Sequence, residues 1–332
     1  MKEIKNASVV GMGALGLLYG NLIQENVGRD AVDFVMDAGR AEKYRKAEFM
    51  INGERKDFRL TKTEDAEERD LVIVAVKSTG LESAMESISK CVGKDTVIIS
   101  VLNGISSEEI LSERFGKEKI VYSVAQGMDA MRSGQSVRYT KEGELRIGVA
   151  NGGDEENLKA LEIFFDKAKI HYTEEKDILK RMWNKFMLNV GINQTCMAFG
   201  ASYSEVLGSE KLTGVFMGAM KEVMDIAKKK EISLSEKDME DWISIIKTFD
   251  PNGTPSMGQD RLAKRKSEVE LFSGTVIRLG KETGTPVPTN QMLYERIMKI
   301  ESEYQDPGKM TFSFPTTAYA LAGAPLPPFL KK

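Results

Sequence analysis

The sequence predicts a doubly wound α/β domain followed by an all-helical one, and three observations carry that expectation. A glycine-rich turn lies between a short apolar run and a helix-like segment at the N-terminal end; further β-branched runs alternate with helical stretches; strand signals stop at Glu174. The apolar run Ala7–Val10 is the first strand, and Gly11-Met12-Gly13-Ala14-Leu15-Gly16 leads from it into a helix beginning at Leu17-Leu18-Tyr19. Val32–Met36, ending at Asp37, is the second strand. Leu71–Val76, ending at Lys77, is the third, and Val97–Leu102, ending at Asn103-Gly104, is the fourth. Ile120–Val124 completes the expected parallel sheet, with Leu81–Lys90 and Ser107–Phe115 as covering helices. Polar alternation between Ala130 and Ala150 suggests antiparallel strands at the sheet's outer edge. Glu155–Lys169 reads as an amphipathic helix, and Ile170–Thr173 as a closing strand. Helical patterns then cover about 177–199, 203–231, 236–249, 257–283 and 289–302. The expected domains are residues 1–175, binding a dinucleotide, and 176–332, serving substrate and dimerisation. The end of the chain, Ala324-Pro325-Leu326-Pro327-Pro328, reads as an extended tail.

Composition narrows the function. The chain has 332 residues and a net charge of −3, so it lacks the basic excess expected of a protein that binds nucleic acid or an anionic membrane. With 41% hydrophobic and 29% charged residues it has a globular balance, and no long apolar segment suggests a membrane span or leader. Two cysteines, Cys91 and Cys196, give no disulfide framework; a reducing cytoplasmic setting is expected. One histidine, His171, excludes any mechanism built on a histidine pair or cluster, which leaves acid-base work mainly to Lys, Glu, Asp or Tyr. No metal site is expected.

Glycines at 11, 13 and 16 after a strand and at the start of a helix match a dinucleotide-binding turn. The first makes the bend, the second lets backbone amides approach a diphosphate, and the third admits close packing of helix on strand. Asp37, about 20 residues on, is placed to bind an adenosine ribose diol and to repel an extra 2′-phosphate, which favours NADH over NADPH. Arg40 is the counter-indication, either as a phosphate contact or as a solvated arginine at a helix start. Lys77 and Asn103 follow adjacent strands at their carboxyl ends, where sites in such sheets form, and each alone is also compatible with a polar loop residue.

At the domain junction, Lys185, Asn189 and Asn193 recur every four residues and align one cation and two amides on a helix otherwise covered by Trp183, Phe186, Met187, Val190 and Ile192. Unpaired buried amides are costly, so the stripe is either a binding face or a structural polar network. Further on, Ser256-Met257-Gly258-Gln259 has the form of a capping box, and a hydroxyl at a helix N-terminus also suits a substrate carboxylate. Glu268 and Gly274 follow.

Together these segments resemble the ketopantoate reductase (2-dehydropantoate 2-reductase) family over essentially the whole chain. The resemblance implies a 6-phosphogluconate-dehydrogenase-like architecture, a Rossmann-type sheet followed by an all-α domain, and NAD(P)H-dependent reduction of ketopantoate to pantoate, a step towards pantothenate and coenzyme A. It also implies roles. Lys185 would be the general acid and Glu268 its partner, Asn103 would contact cofactor and substrate, and Asn189, Asn193 and Ser256 would bind the 2-keto acid. Family members commonly carry a basic residue where Asp37 stands, matching their usual NADPH, and Ser-Ser-Met where this chain has Pro255-Ser256-Met257. Alternatives are a dehydrogenase of another small hydroxy acid or amine-derived product, and a non-catalytic dinucleotide sensor. A homodimer through the helical domain is one possible assembly.

Overall fold

The computed structural model describes residues 2–304. Its first strand, β1 (Ala7–Val10), is buried at every position, as an unbroken apolar run requires when both faces are covered. In chain order there follow β2 (Val32–Met36), β3 (Phe49–Ile51), β4 (Glu54–Lys56), β5 (Leu60–Lys62), β6 (Arg69–Val74), β7 (Val92–Ser100), β8 (Tyr122–Gln126), β9 (Met131–Ser133), β10 (Ser136–Arg138), β11 (Glu144–Gly148) and β12 (Tyr172–Glu174). Five of them form a parallel sheet in the order β5-β2-β1-β6-β7. The winding direction reverses between β1 and β6, and that reversal leaves a crevice beyond their carboxyl ends. The glycine turn after β1 and Lys77 after β6 both lie there.

The helices Ala14–Asn26 and Glu155–Ala168 bury Leu17, Leu18, Phe164 and Phe165 against one face of the sheet, in one cluster with Phe34 and Ile73. On the other face Leu81, Ala84, Ile88 and Leu111 pack against Val72, Val74 and Ile98. Strand β2 carries one buried acid, Asp33, only 2% exposed, which accepts from Thr61 at 2.7 Å and from Arg69 at 2.9 Å. The Arg69 guanidinium balances its charge, and removing that partner would leave a carboxylate stranded inside the sheet.

The edges differ from the sequence expectation. The outermost parallel strand is β5, a three-residue stretch, Leu60-Thr61-Lys62, too short and too polar to announce itself. Tyr122–Gln126, expected as the fifth parallel strand, reaches β7 only through the bridge between Ile98 and Ile120; it pairs antiparallel with β11, which pairs parallel with β12. The polar segment expected at the sheet's edge divides in two. Strands β9 and β10 join β3 and β4 in a separate four-stranded sheet, β4-β3-β10-β9, while β11 belongs to the three-stranded one. The turn between β3 and β4 is Asn52-Gly53, both at positive φ, the geometry a tight hairpin favours.

Beyond Glu174 the described chain is helical. Ile178–Leu188, Asn189–Asn193 and Gln194–Phe199 run on as one helix, but its middle segment is a π turn and not the α-helix expected. The stretch expected as one helix over 203–231 breaks at Ser209, whose side chain accepts from Leu212 N and so starts Glu210–Lys229 afresh. The expected helix over 257–283 also divides, into Ser256–Leu262, a loop, a second π turn at Glu270–Gly274, and Thr275–Thr283. Glu236–Ile246 and Pro288–Ser302 lie where the periodicity places them. Phe186, Phe216, Met220, Phe272 and Leu293 form the core of this half. No helix among the described residues is long and apolar enough to cross a membrane. The proline-rich segment at 324–328 lies outside the described residues.

Candidate active site

A cavity of about 540 Å³ opens at the reversal point of the sheet. Its floor is the glycine turn. Gly11 has φ of +102°, and a Cβ there would stand 2.5 Å from the Ala75 carbonyl oxygen; a Cβ on Gly16 would stand 1.9 Å from the Gly11 carbonyl oxygen. Only glycine permits so tight a bend against β6. Gly13 then caps the 13-residue helix Ala14–Asn26, and no side chain bonds the N–H groups of its first turn. Met12, Gly13, Ala14 and Leu15 line the cavity. Unpartnered amides at the positive end of a helix dipole, with backbone open to a cavity, suit a diphosphate, so these residues fit a dinucleotide.

At the far end of this wall Asp37 caps the helix Ala38–Arg45: its Oδ1 accepts from Arg40 N at 2.8 Å, and its Oδ2 lies 3.4 Å from Arg40 Nε. Arg40 and Tyr44 line the cavity, whereas Asp37 stands just outside it. Sequence reasoning missed Arg132. It comes from β9, donates to the Met12 carbonyl in the glycine turn, lies 6.0 Å from the Tyr44 ring centroid and lines the same cavity. The only signal in the sequence would have been the Asn52-Gly53 hairpin, which creates the sheet that carries Arg132 over the turn.

Residues from both halves meet at the opposite end. Lys77, 61% exposed, lies 4.0 Å from Asp260 Oδ2 across the cleft, and the buried Asp260 also pairs with Arg265 at 2.8 Å. Asn103 bridges an acid and a base: its Oδ1 accepts from Lys185 Nζ at 3.0 Å, and its Nδ2 donates to Glu268 Oε2 at 3.2 Å. Lys185 donates also to the Ala125 carbonyl at 2.6 Å. Burial pushes the Lys185 amine down to about 8, while the charges of Glu268 and Glu108 pull it back up. Asn103 and Glu268 line the cavity; Lys185 sits behind Asn103. Glu268 is therefore one amide removed from Lys185.

Lys185, Asn189 and Asn193 share a side of their helix, and the π turn helps keep them there. In an α-helix each step of four residues overshoots a full turn by about 40°. A turn closed by i→i+5 bonds is wider, so the second step does not add to the drift. Asn193 Nδ2 donates to Asn189 Oδ1 at 3.1 Å, and Asn193 Oδ1 accepts from Ser256 Oγ at 3.0 Å and Met257 N at 3.3 Å. The capping box expected at Ser256 is absent. Pro255 occupies the cap position and Ser256 turns its hydroxyl to Asn193 instead. Gly16, Asp37, Lys185, Asn189, Asn193 and Ser256 thus lie next to the cavity wall but not in it. Cys91 and Cys196 are buried, and burial pushes their thiols up to about 11 and about 12, which suits packing and not nucleophilic work.

Comparison with known proteins gives consistent results. A family profile described as Ketopantoate reductase PanE/ApbA matches residues 7–152, and one described as Ketopantoate reductase PanE/ApbA C terminal matches residues 177–301. The 2-dehydropantoate 2-reductase of Aquifex aeolicus is 26% identical over 305 residues, which cover 88% of this chain and 96% of that relative. A PanE/ApbA family ketopantoate reductase from Ralstonia eutropha JMP134 has a TM-score of 0.77 at 21% identity, covering 91% of this chain and 100% of that one. A D-mandelate dehydrogenase solved with NADH and anilino(oxo)acetate has a TM-score of 0.81 at 20% identity, with the same coverage. At those identities the solved structures show a shared fold.

Proposed function

The chain belongs to the ketopantoate reductase PanE/ApbA family, and on that premise we propose that it reduces ketopantoate to pantoate with a nicotinamide dinucleotide, NADH before NADPH, using Lys185 as general acid. One observation carries this reading: a half-buried lysine with its amine pushed down to about 8 is held 3.0 Å from the amide of Asn103, at the inner end of the dinucleotide cavity.

The glycine turn and the first turn of Ala14–Asn26 would hold the diphosphate. When bound, the nicotinamide supplies the hydride that reduces C2 of the keto acid. This chain's residues do the rest. The Lys185 ammonium stabilises negative charge growing on the C2 oxygen and then delivers its proton there, leaving a neutral amine. Asn103 fixes the direction of Nζ. Glu268 keeps negative charge close to the ammonium before the proton leaves. Ser256, Asn189 and Asn193 orient the substrate carboxylate so that one face of the carbonyl meets the cofactor. Lys77 and Asp260 link the two halves at the mouth.

For the cofactor, Arg40 is already paired with Asp37, so a 2′-phosphate would meet a neutralised guanidinium and a carboxylate together. That favours NADH. A second reading, reduction of another small 2-keto acid, draws support from the like-folded D-mandelate dehydrogenase and from Pro255, which changes the rim beside Ser256. Initial rates of NADH and NADPH oxidation with ketopantoate and a panel of 2-keto acids test both. Fastest turnover with ketopantoate is expected. A larger kcat/KM for an aryl 2-keto acid would replace ketopantoate as substrate, and no turnover on any keto acid by protein that binds NADH would overturn the enzymatic reading.

A further inference from the structure

We propose that Glu108, a buried acid behind the cavity, is a positioning residue that keeps Lys185 protonated, the two being gathered at the free edge of β8. The inference rests on the reading of Lys185 as general acid.

Glu108 is 1% exposed and lies in the first turn of the helix Ser107–Phe115, directly after the Asn103-Gly104 loop. Its carboxylate accepts from Ser107 Oγ at 2.8 Å and from the backbone amide of Ser123. Ser107 Oγ also shares a hydrogen with Ser100 Oγ at 2.8 Å, and Ser123 Oγ donates to the Ser100 carbonyl, so the acid is fastened to the ends of β7 and β8. The strand geometry explains why an acid and a base meet here. Leu145 N donates to His171 O, towards β12, so Ala125, which stands opposite Leu145, turns its backbone groups away from β11. Ser123, two residues earlier, faces the same way. Strand β8 therefore has an outer edge with an unpaired N–H at Ser123 and an unpaired carbonyl at Ala125. Glu108 takes the first and Lys185 Nζ takes the second at 2.6 Å.

The ionisable groups facing Lys185 are Glu268 and Glu108; those around Glu108 are Lys185 and Tyr122, with Glu109 on its own helix pointing outward. Glu268 lines the cavity, where substrate will change its surroundings. Glu108 does not line it, and its charge is the constant one. Burial pushes the Glu108 carboxyl up to about 7, with Ser107 and the Ser123 backbone pulling down. Above that pH it is ionised and favours the ammonium form of Lys185, so activity in the reductive direction persists to higher pH before falling as the amine loses its proton.

The experiment is the pH profile of kcat/KM for the preferred 2-keto acid, for the full-length wild type, Glu108→Gln, and the exposed neighbour Glu109→Gln. The alkaline limb of Glu108→Gln is expected about one pH unit lower, with NADH affinity and the rate at pH 6 nearly unchanged and Glu109→Gln superposing on wild type. An alkaline limb of Glu108→Gln that superposes on wild type overturns the inference. If Glu108→Gln does not fold, Ser107→Ala raises the Glu108 carboxyl by removing its donor and should shift the limb the same way by a smaller amount; no shift overturns the inference equally. Residual turnover of Lys185→Ala separates the two ideas. A limb that survives in Lys185→Ala refutes the general-acid reading itself, whereas a limb lost there but unmoved in Glu108→Gln refutes only the role of Glu108.

Discussion

The glycine turn works through its backbone and the substrate end works through side chains. Gly11 to Gly16 form one contiguous stretch whose function lies in what is missing, a Cβ at two positions and a capping side chain at a third. Asn103 and Glu268, hydrogen-bonded to each other, stand 165 residues apart, and Lys185 joins them from a third element. A site made of backbone tolerates changes of side chain facing away from it but no gain of bulk; a site made of side chains depends on all the packing that brings distant elements together. Substitutions at the two ends should therefore fail in different ways.

Lys185→Ala should lower kcat by about 10²- to 10⁴-fold, the usual contribution of a positioned acid, while the Kd for NADH from fluorescence titration stays within about twofold of wild type. A loss under about tenfold, worth about 1.4 kcal/mol, would remove Lys185 from the chemistry. Gly16→Val tests the backbone end. Its side chain would collide with the Gly11 carbonyl, so dinucleotide binding should weaken by at least about 100-fold, about 2.7 kcal/mol; binding by calorimetry within threefold of wild type would show that the bend is not needed.

Asp37→Ser should free Arg40 and change the ratio of kcat/KM for NADPH over NADH in favour of NADPH by about tenfold; an unchanged ratio would mean that Asp37 serves only as a helix cap. Arg132→Gln is the mildest of these. It should raise KM for the dinucleotide about three- to tenfold by loss of one charged donor beside the glycine turn, with kcat held. A fall in kcat at constant KM would instead move Arg132 from the cofactor to the chemistry.

The same contrast explains what the sequence revealed. Contiguous features were legible: the strand, glycine turn and helix at 7–26, the helix at 107–115, and the lysine-asparagine stripe on its helix. Features set by pairing across long distances were not. Strand β5 has three half-buried residues and no apolar run, and its identity comes wholly from lying beside β2. Strand β8 carries the apolar pattern of a sixth parallel strand, yet β11 claims it. Asn52-Gly53 was a readable hairpin signal, and following it would have led to the four-stranded sheet and so to Arg132. Asp37 was read as a ribose ligand from its spacing, and its hydrogen bond to Arg40 N shows the competing local use that spacing alone does not reveal. Glu108 had no signal, because an acid in the first turn of a helix is ordinarily at the surface.

The π turns at Asn189–Asn193 and Glu270–Gly274 touch each other, and each stands in a helix that contributes to the substrate end. Each amounts to one surplus residue in a helix. Removing a single residue from the first would restore α-helical pitch and swing everything after it by about 100° about the axis, carrying Cys196 and Met197 out of the core and Asn193 away from Ser256. A deletion harmless in a surface loop would here dismantle both core and pocket at once, so the length of these two segments is constrained more tightly than the identity of many residues within them.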